Sequence, residues 1–164
     1  MPGRQREWEI GRHQLHFEPP DILWVEYRGS VSLQEARHMV DVSRELGASR
    51  PFFMVGDMKE ATLPEPEAGR HFSDQLRFEW LLGTIYIGTR LVQRATAKGI
   101  LLAAYLMERM DARALELDHF VSTREEARAL MARLRADRTA QASVREPHVP
   151  PPAASPVLEP LHEE

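Results

Sequence analysis

The chain has 164 residues and no cysteine. Disulfide staples and thiolate chemistry are thereby excluded, and the composition suits a reducing compartment. Long hydrophobic runs are missing too. The longest apolar stretch, Ile100 to Met107, falls far short of the ~20 residues that span a bilayer. The opening string Met1-Pro2-Gly3-Arg4-Gln5-Arg6 leads into Trp8 and charged residues without an apolar segment of signal-peptide length. These features predict a soluble, cytoplasmic protein with no integral membrane segment. Positive charge is not in excess either: the formal net charge of −4 gives no electrostatic ground to expect nucleic acid. There is no glycine-rich phosphate loop and no Gly-x-Ser-x-Gly elbow. Catalysis needs a nucleophile or base held by a second group, and Asp118-His119 falls in a predicted short strand, where neighbouring side chains diverge. No catalytic residue and no cofactor is assigned, and the chain is expected not to be an enzyme.

What is present is enough for a single core, since 43% of the residues are hydrophobic. Residues 1–12 are polar and are expected to form a flexible N-terminus. Two strands are predicted at 13–17 and 22–28, separated by Glu18-Pro19-Pro20-Asp21, with Leu23, Val25 and Tyr27 on one face. They read as an antiparallel hairpin. Gly29 closes it, and Ser32-Leu33-Gln34-Glu35 is a capping box. Leu33, Ala36, Met39, Val40, Ser43 and Leu46 then recur at helical spacing, with Gly47 placed to end the helix.

The near-continuous apolar run 51–56 suits a strand buried on both faces, ending at Asp57. Residues 58–66 read as a loop, 67–78 as a helix and 81–87 as another buried strand. Residues 89–110 have a helical pattern, charged in the first half and apolar throughout the second. A short strand at 117–121 leads to a second capping box, Ser122-Thr123-Arg124-Glu125, and to a last helix buried along Ala127, Leu130, Met131 and Leu134. Residues 139–164 hold Pro147, Pro150, Pro151, Pro152, Pro156 and Pro160, and are expected to be a disordered tail. The order is β-β-α-β-α-β-α-β-α. This predicts an α/β domain over 13–138, with a mixed, mostly parallel sheet of about five strands, an antiparallel N-terminal edge and about four helices.

This order, with several local strings, resembles the STAS domain, the fold of bacterial anti-sigma-factor antagonists, and within it the SpoIIAA-like group. The strings are the hairpin into Gly29, the capped helix at Ser32, the buried strand ending in Asp57, and Pro66-Glu67-Ala68 at the second helix. Gly83-Thr84-Ile85-Tyr86 and Phe120-Val121-Ser122-Thr123-Arg124-Glu125-Glu126-Ala127 complete the set. The resemblance spans roughly residues 13–135 and implies a regulatory or scaffold module, active in signalling, that binds a protein partner. It also implies, as the alternative, a small apolar-ligand or lipid-binding domain of the Sec14 type. Signalling members carry a phosphorylatable serine or threonine after the central strand. Here the stretch from Asp57 to Gly69 contains no serine, and its only hydroxyl is Thr62. Asp57 and Thr62 mark the possible switch loop, with Arg70 the candidate to hold a phosphate there.

The partner-binding candidates lie on the third helix. Arg90, Arg94 and Lys98 repeat every four residues as a basic ridge. Beyond it, 100–107 is apolar on every side, more than one sheet face can cover. Leu101 and Tyr105 are therefore expected at a protein-partner or homodimer surface. Glu67, His71 and Asp74 share one helix face, but the pattern reads as a solvated polar surface and no metal is assigned. His13 and His16 point to opposite faces of one strand and cannot chelate together.

Overall fold

The structure is a computed structural model that describes residues 4–90, 94–99, 102 and 116–145. Among these, six strands form one sheet in sequential order: β1 (Arg6–Ile10), β2 (His13–Glu18), β3 (Ile22–Gly29), β4 (Phe52–Ala61), β5 (Leu81–Ile87) and β6 (Asp118–Val121). The pairs β1–β2 and β2–β3 are antiparallel, and β3–β4, β4–β5 and β5–β6 are parallel. The helices are α1 (Leu33–Ser49), α2 (Pro66–Gln75) and α3 (Arg124–Arg145), with a 3-10 turn at Phe78–Trp80. Residues 94–99 are also helical. The chain is thus the expected mixed α/β fold. No helix among the described residues is long and apolar enough to cross a membrane.

Strand alternation and register divide the core in two. Leu15, Leu23, Val25 and Phe52 face one way and pack with Ala36, Met39 and Leu46 of α1 and Ala68 of α2. The neighbouring side chains Ile22, Trp24, Phe53, Val55, Ile85 and Ile87 are buried from the other side. Ala127 and Met131 of α3 are buried as well, and the Arg124 and Arg128 guanidiniums lie 5.2 and 4.9 Å from the Trp24 ring. Arg128 also grips Glu18 with two hydrogen bonds of 2.9 and 2.8 Å. A central strand buried on both faces is what the uninterrupted run Phe52–Val55 requires.

Several expectations need correction. The N-terminus is not wholly frayed, because residues 6–10 pair with β2. Gly11, at φ +59°, makes the tight turn, and the alternation of Trp8 and Ile10 supplies an inward face. This is the sixth strand. Gly47 does not end α1, which runs to Ser49; a Cβ at Gly47 would run into the Trp80 ring, so close packing explains this glycine. Strand β4 extends past Asp57 to Ala61, held by pairing of Ala61 with Gly29, so Asp57 sits within a strand. The second capping box is displaced by one residue. Thr123 Oγ1 accepts from the Glu126 N–H, and Glu126 Oε2 accepts from the Ser122 N–H. Helix α3 continues to Arg145, through a stretch without proline, before Pro147. Residues 146–164 lie outside the described part.

Glu35 joins the start of α1 to the sheet. Its Oε2 accepts from the Ser32 N–H at 2.8 Å and from His13 Nε2 at 3.3 Å. His13 Nδ1 accepts the Arg28 backbone N–H at 3.0 Å, which fixes the tautomer with the proton on Nε2. Burial pushes the Glu35 carboxyl up, but the Ser32 N–H and the nearby His13 outweigh it, and the group is held below its usual range. Glu35→Ala should cost about 1–3 kcal/mol in urea denaturation at pH 7, through loss of the cap and of a buried partner for His13. Because the folded-state pKa is depressed, the carboxylate's contribution is present above the ordinary value of 4.5 and lost as pH falls through the folded value. The gap between the wild type and the variant should therefore narrow in acid.

Candidate functional site

Register places Gly56 of β4 beside Val25 on one strand and Tyr86 on the other. Glycine here leaves room above the strand, and the Tyr27 ring leans into it, 3.0 Å from where a Gly56 Cβ would stand. Tyr27 and Tyr86 lie near the carboxyl ends of β3 and β5, where open α/β sheets tend to form ligand crevices, and Met54 shares their face on β4 between them. They floor a cavity of ≈ 110 Å³. Phe72 of α2 and Leu76, just past its end, form one wall, and Thr96 and Ala97 of the helical segment form another. Met58, Gly29, Val31 and the segment 61–64 complete it. Leu63 is 48% exposed, so the cavity reaches the surface there. None of the described residues lining it is charged.

Burial pushes the Tyr27 hydroxyl up to about 12. It raises Tyr86 well above the ordinary phenol value, helped by the nearby Asp118 and Tyr27. Both phenols are protonated at neutral pH. Asp118 pairs in register with Thr84, next to Tyr86 on β5. Burial pushes its carboxyl up to about 6, against the opposing pull of Lys98. Its Oδ2 is buried with no hydrogen-bond partner among the described residues.

The expected site residues are only partly brought together. Arg94 and Lys98 lie 5.1 and 5.7 Å from the Phe120 ring, and Phe120 stacks on Tyr86 at 5.4 Å. Arg94 Nε also donates to Thr89 Oγ1 at 3.2 Å. Arg90 Nη2 donates to the Ala61 carbonyl at 3.2 Å, and its own carbonyl accepts the Arg94 N–H at 3.1 Å. Thr62 lines the cavity, with its N–H on the Gly29 carbonyl at 3.1 Å. Asp57 belongs instead to a separate polar cleft of ≈ 560 Å³ with Arg12, Glu26, Arg28, Lys59 and Glu60. There its Oδ1 accepts the Lys59 N–H at 3.1 Å. Leu101 and Tyr105 lie outside the described residues.

Among the described residues no three His, Asp or Glu side chains are grouped so as to hold a metal. Glu67, His71 and Asp74 form no such group. His13 is buried, whereas His16, on the other face of β2, approaches Glu7 at 3.6 Å.

The sequence reading missed the cavity floor. The signal was Gly56 inside an apolar strand, a position that marks close approach of another group.

No protein-family model matches the chain, and no curated protein matches it. Among solved structures, the anti-sigma factor antagonist SpoIIAA in its unphosphorylated form is similar with a TM-score of 0.48 and 9% identity, over 74% of this chain and 97% of that one. An uncharacterized protein of the DUF3478 family with a SpoIIAA-like fold, from Shewanella loihica PV-4, has a TM-score of 0.48 and 12% identity. It covers 79% of this chain and 94% of its own. At such identities and scores the likeness gives no residue a role.

Asp118 provides a pH test of this site. A carboxyl whose pKa is raised on folding contributes stability below its unfolded value of 3.8, and that stability is lost as pH rises through about 6. Asp118→Asn should therefore be more stable than the wild type at pH 8, with the difference shrinking towards pH 4. Chemical denaturation of both proteins at the two pH values measures it.

Proposed function

We propose that this protein is a non-catalytic regulatory or scaffold module that binds a protein partner through the outer side of the helical segment 94–99. The observation that carries this reading is the exposed stripe of Arg94, Lys98 and Leu102. The two cations stand over Phe120, and Leu102, four residues past Lys98, is 47% exposed. Exposed cations beside an exposed aliphatic side chain suit a partner surface of mixed acidic and apolar character. Leu101 and Tyr105, assigned to the same surface from the helical pattern, extend the proposed stripe. A second copy of the chain is one form the partner can take. A phosphorylation switch of the usual kind is not part of the proposal, since the stretch from Asp57 to Gly69 lacks serine.

A second reading, a small apolar-ligand site, is favoured by the cavity under Leu63. Drug-sized ligands occupy roughly 300–1,000 Å³, so a volume of ≈ 110 Å³ suits a much smaller group than a whole lipid.

Lys98→Glu and Leu102→Asp in the full chain test the first reading. Quantitative capture from a lysate of the native host should lose the same protein with both variants. If that protein is a second copy, sedimentation should show loss of self-association instead. Binding should also weaken as salt rises, because the steering charges are exposed. Unchanged capture and sedimentation in both variants, with thermal unfolding intact, would sink the proposal.

A further inference from the structure

We infer that the cavity at the carboxyl ends of β3, β4 and β5 binds a small neutral ligand. This ligand is a ring or short chain of about benzene's size carrying at most one hydrogen-bond acceptor. The inference rests on the second reading above and gives it a ligand class.

Size sets the first limit. Apolar cavities of about 150 Å³ take up benzene or xenon and stay dry when empty. The cavity here, ≈ 110 Å³ and open beside Leu63, admits a group of that order, with any substituent directed towards the opening.

The lining sets the second limit. Met54, Met58, Phe72, Leu76 and Ala97 offer only apolar surface, and the two thioethers are adaptable enough to close around ligands of different outline. An ionised ligand entering this lining would lose its hydration without a counter-charge, at a cost of several kcal/mol. The Arg90 guanidinium nearby is already engaged on the Ala61 carbonyl, at 3.2 Å.

Polarity sets the third limit. The floor carries two phenols, Tyr27 and Tyr86. A phenol can donate one hydrogen bond. A carbonyl, ether or hydroxyl oxygen on the ligand can therefore be received, and an ionic group cannot.

Titration of the full chain, labelled at the methionine methyl groups, with benzene, phenol and benzoate tests this by NMR. Benzene and phenol should shift the Met54 and Met58 signals saturably. Met39 and Met131, buried elsewhere in the core, should stay in place, and benzoate should give no saturable shift. Ala97→Phe, which fills the cavity from its helical wall, should abolish the shifts while leaving the spectrum dispersed. Leu63→Trp, which blocks the opening, is the second variant if the first does not fold. Benzoate binding as tightly as phenol would overturn the neutral-ligand inference and leave the apolar-ligand reading standing. No saturable shift with any of the three, or equal movement of Met39 and Met131, would overturn both.

Discussion

The Glu35 carboxylate accepts hydrogen bonds from the Ser32 N–H and from His13 Nε2, and the hairpin, the first helix and the sheet meet around it. His13 is 1% exposed and holds the Arg28 N–H with its other nitrogen, so the chain of contacts runs from the helix start to the third strand. Gly11 completes the arrangement. A Cβ there would collide with the Glu35 carboxylate, and only a residue without one lets the turn between β1 and β2 close against α1. Removing one buried partner from such a network leaves the others unsatisfied, which costs more than the bond itself contributes. The register of β2 against β3, and with it the inward direction of Leu15, Val25 and Tyr27, depends on this junction.

From there the sheet changes character. Its first three strands are antiparallel and joined by short turns, and the last three run parallel to β3. Parallel neighbours require crossovers, and the crossovers bring α2 and the helical segment 94–99 over the carboxyl ends of the strands. Gly56 lacks a side chain, and the Tyr27 ring and the Met58 thioether lie across it. Beside them is a cavity with an apolar wall and a phenolic floor. Asp118, paired with Thr84 on β5, has a buried Oδ2 without a partner among the described residues, and Lys98 partly offsets the cost of its charge. The apolar cavity and the proposed partner stripe thus lie on two sides of one helical segment, Thr96 and Ala97 on the cavity, Arg94 and Lys98 towards Phe120.

Hydrophobic period and cap chemistry made much of the fold legible in the sequence alone. The capping box at Ser32 and Glu35 forms as its spacing requires. Leu23, Val25 and Tyr27 share the face that alternation assigns them, and the run 52–55 is buried from both sides. These are local or near-local properties, in which a few neighbouring residues decide the outcome. Boundaries that depend on distant partners were not legible in this way. The strand at 6–10 needs β2, the continuation of α1 through Gly47 needs Trp80, and the extension of β4 to Ala61 needs Gly29.

The candidate site divides along the same line. The sequence by itself determined that no thiol chemistry occurs, that the stretch from Asp57 to Gly69 has no serine, and that Arg94 and Lys98 lie one turn apart. Each follows from composition or helical spacing. Only the tertiary structure decided that Thr62 borders an apolar cavity while Asp57 belongs to a charged cleft, and that Arg90 donates to the Ala61 carbonyl. It alone brought Tyr27, Met54, Phe72 and Tyr86 around one void. The physical reason is that a cavity is a property of what several segments fail to fill together, and strand register sets that failure. A glycine in one strand acquires its meaning from the ring that its neighbour in the next strand lays across it.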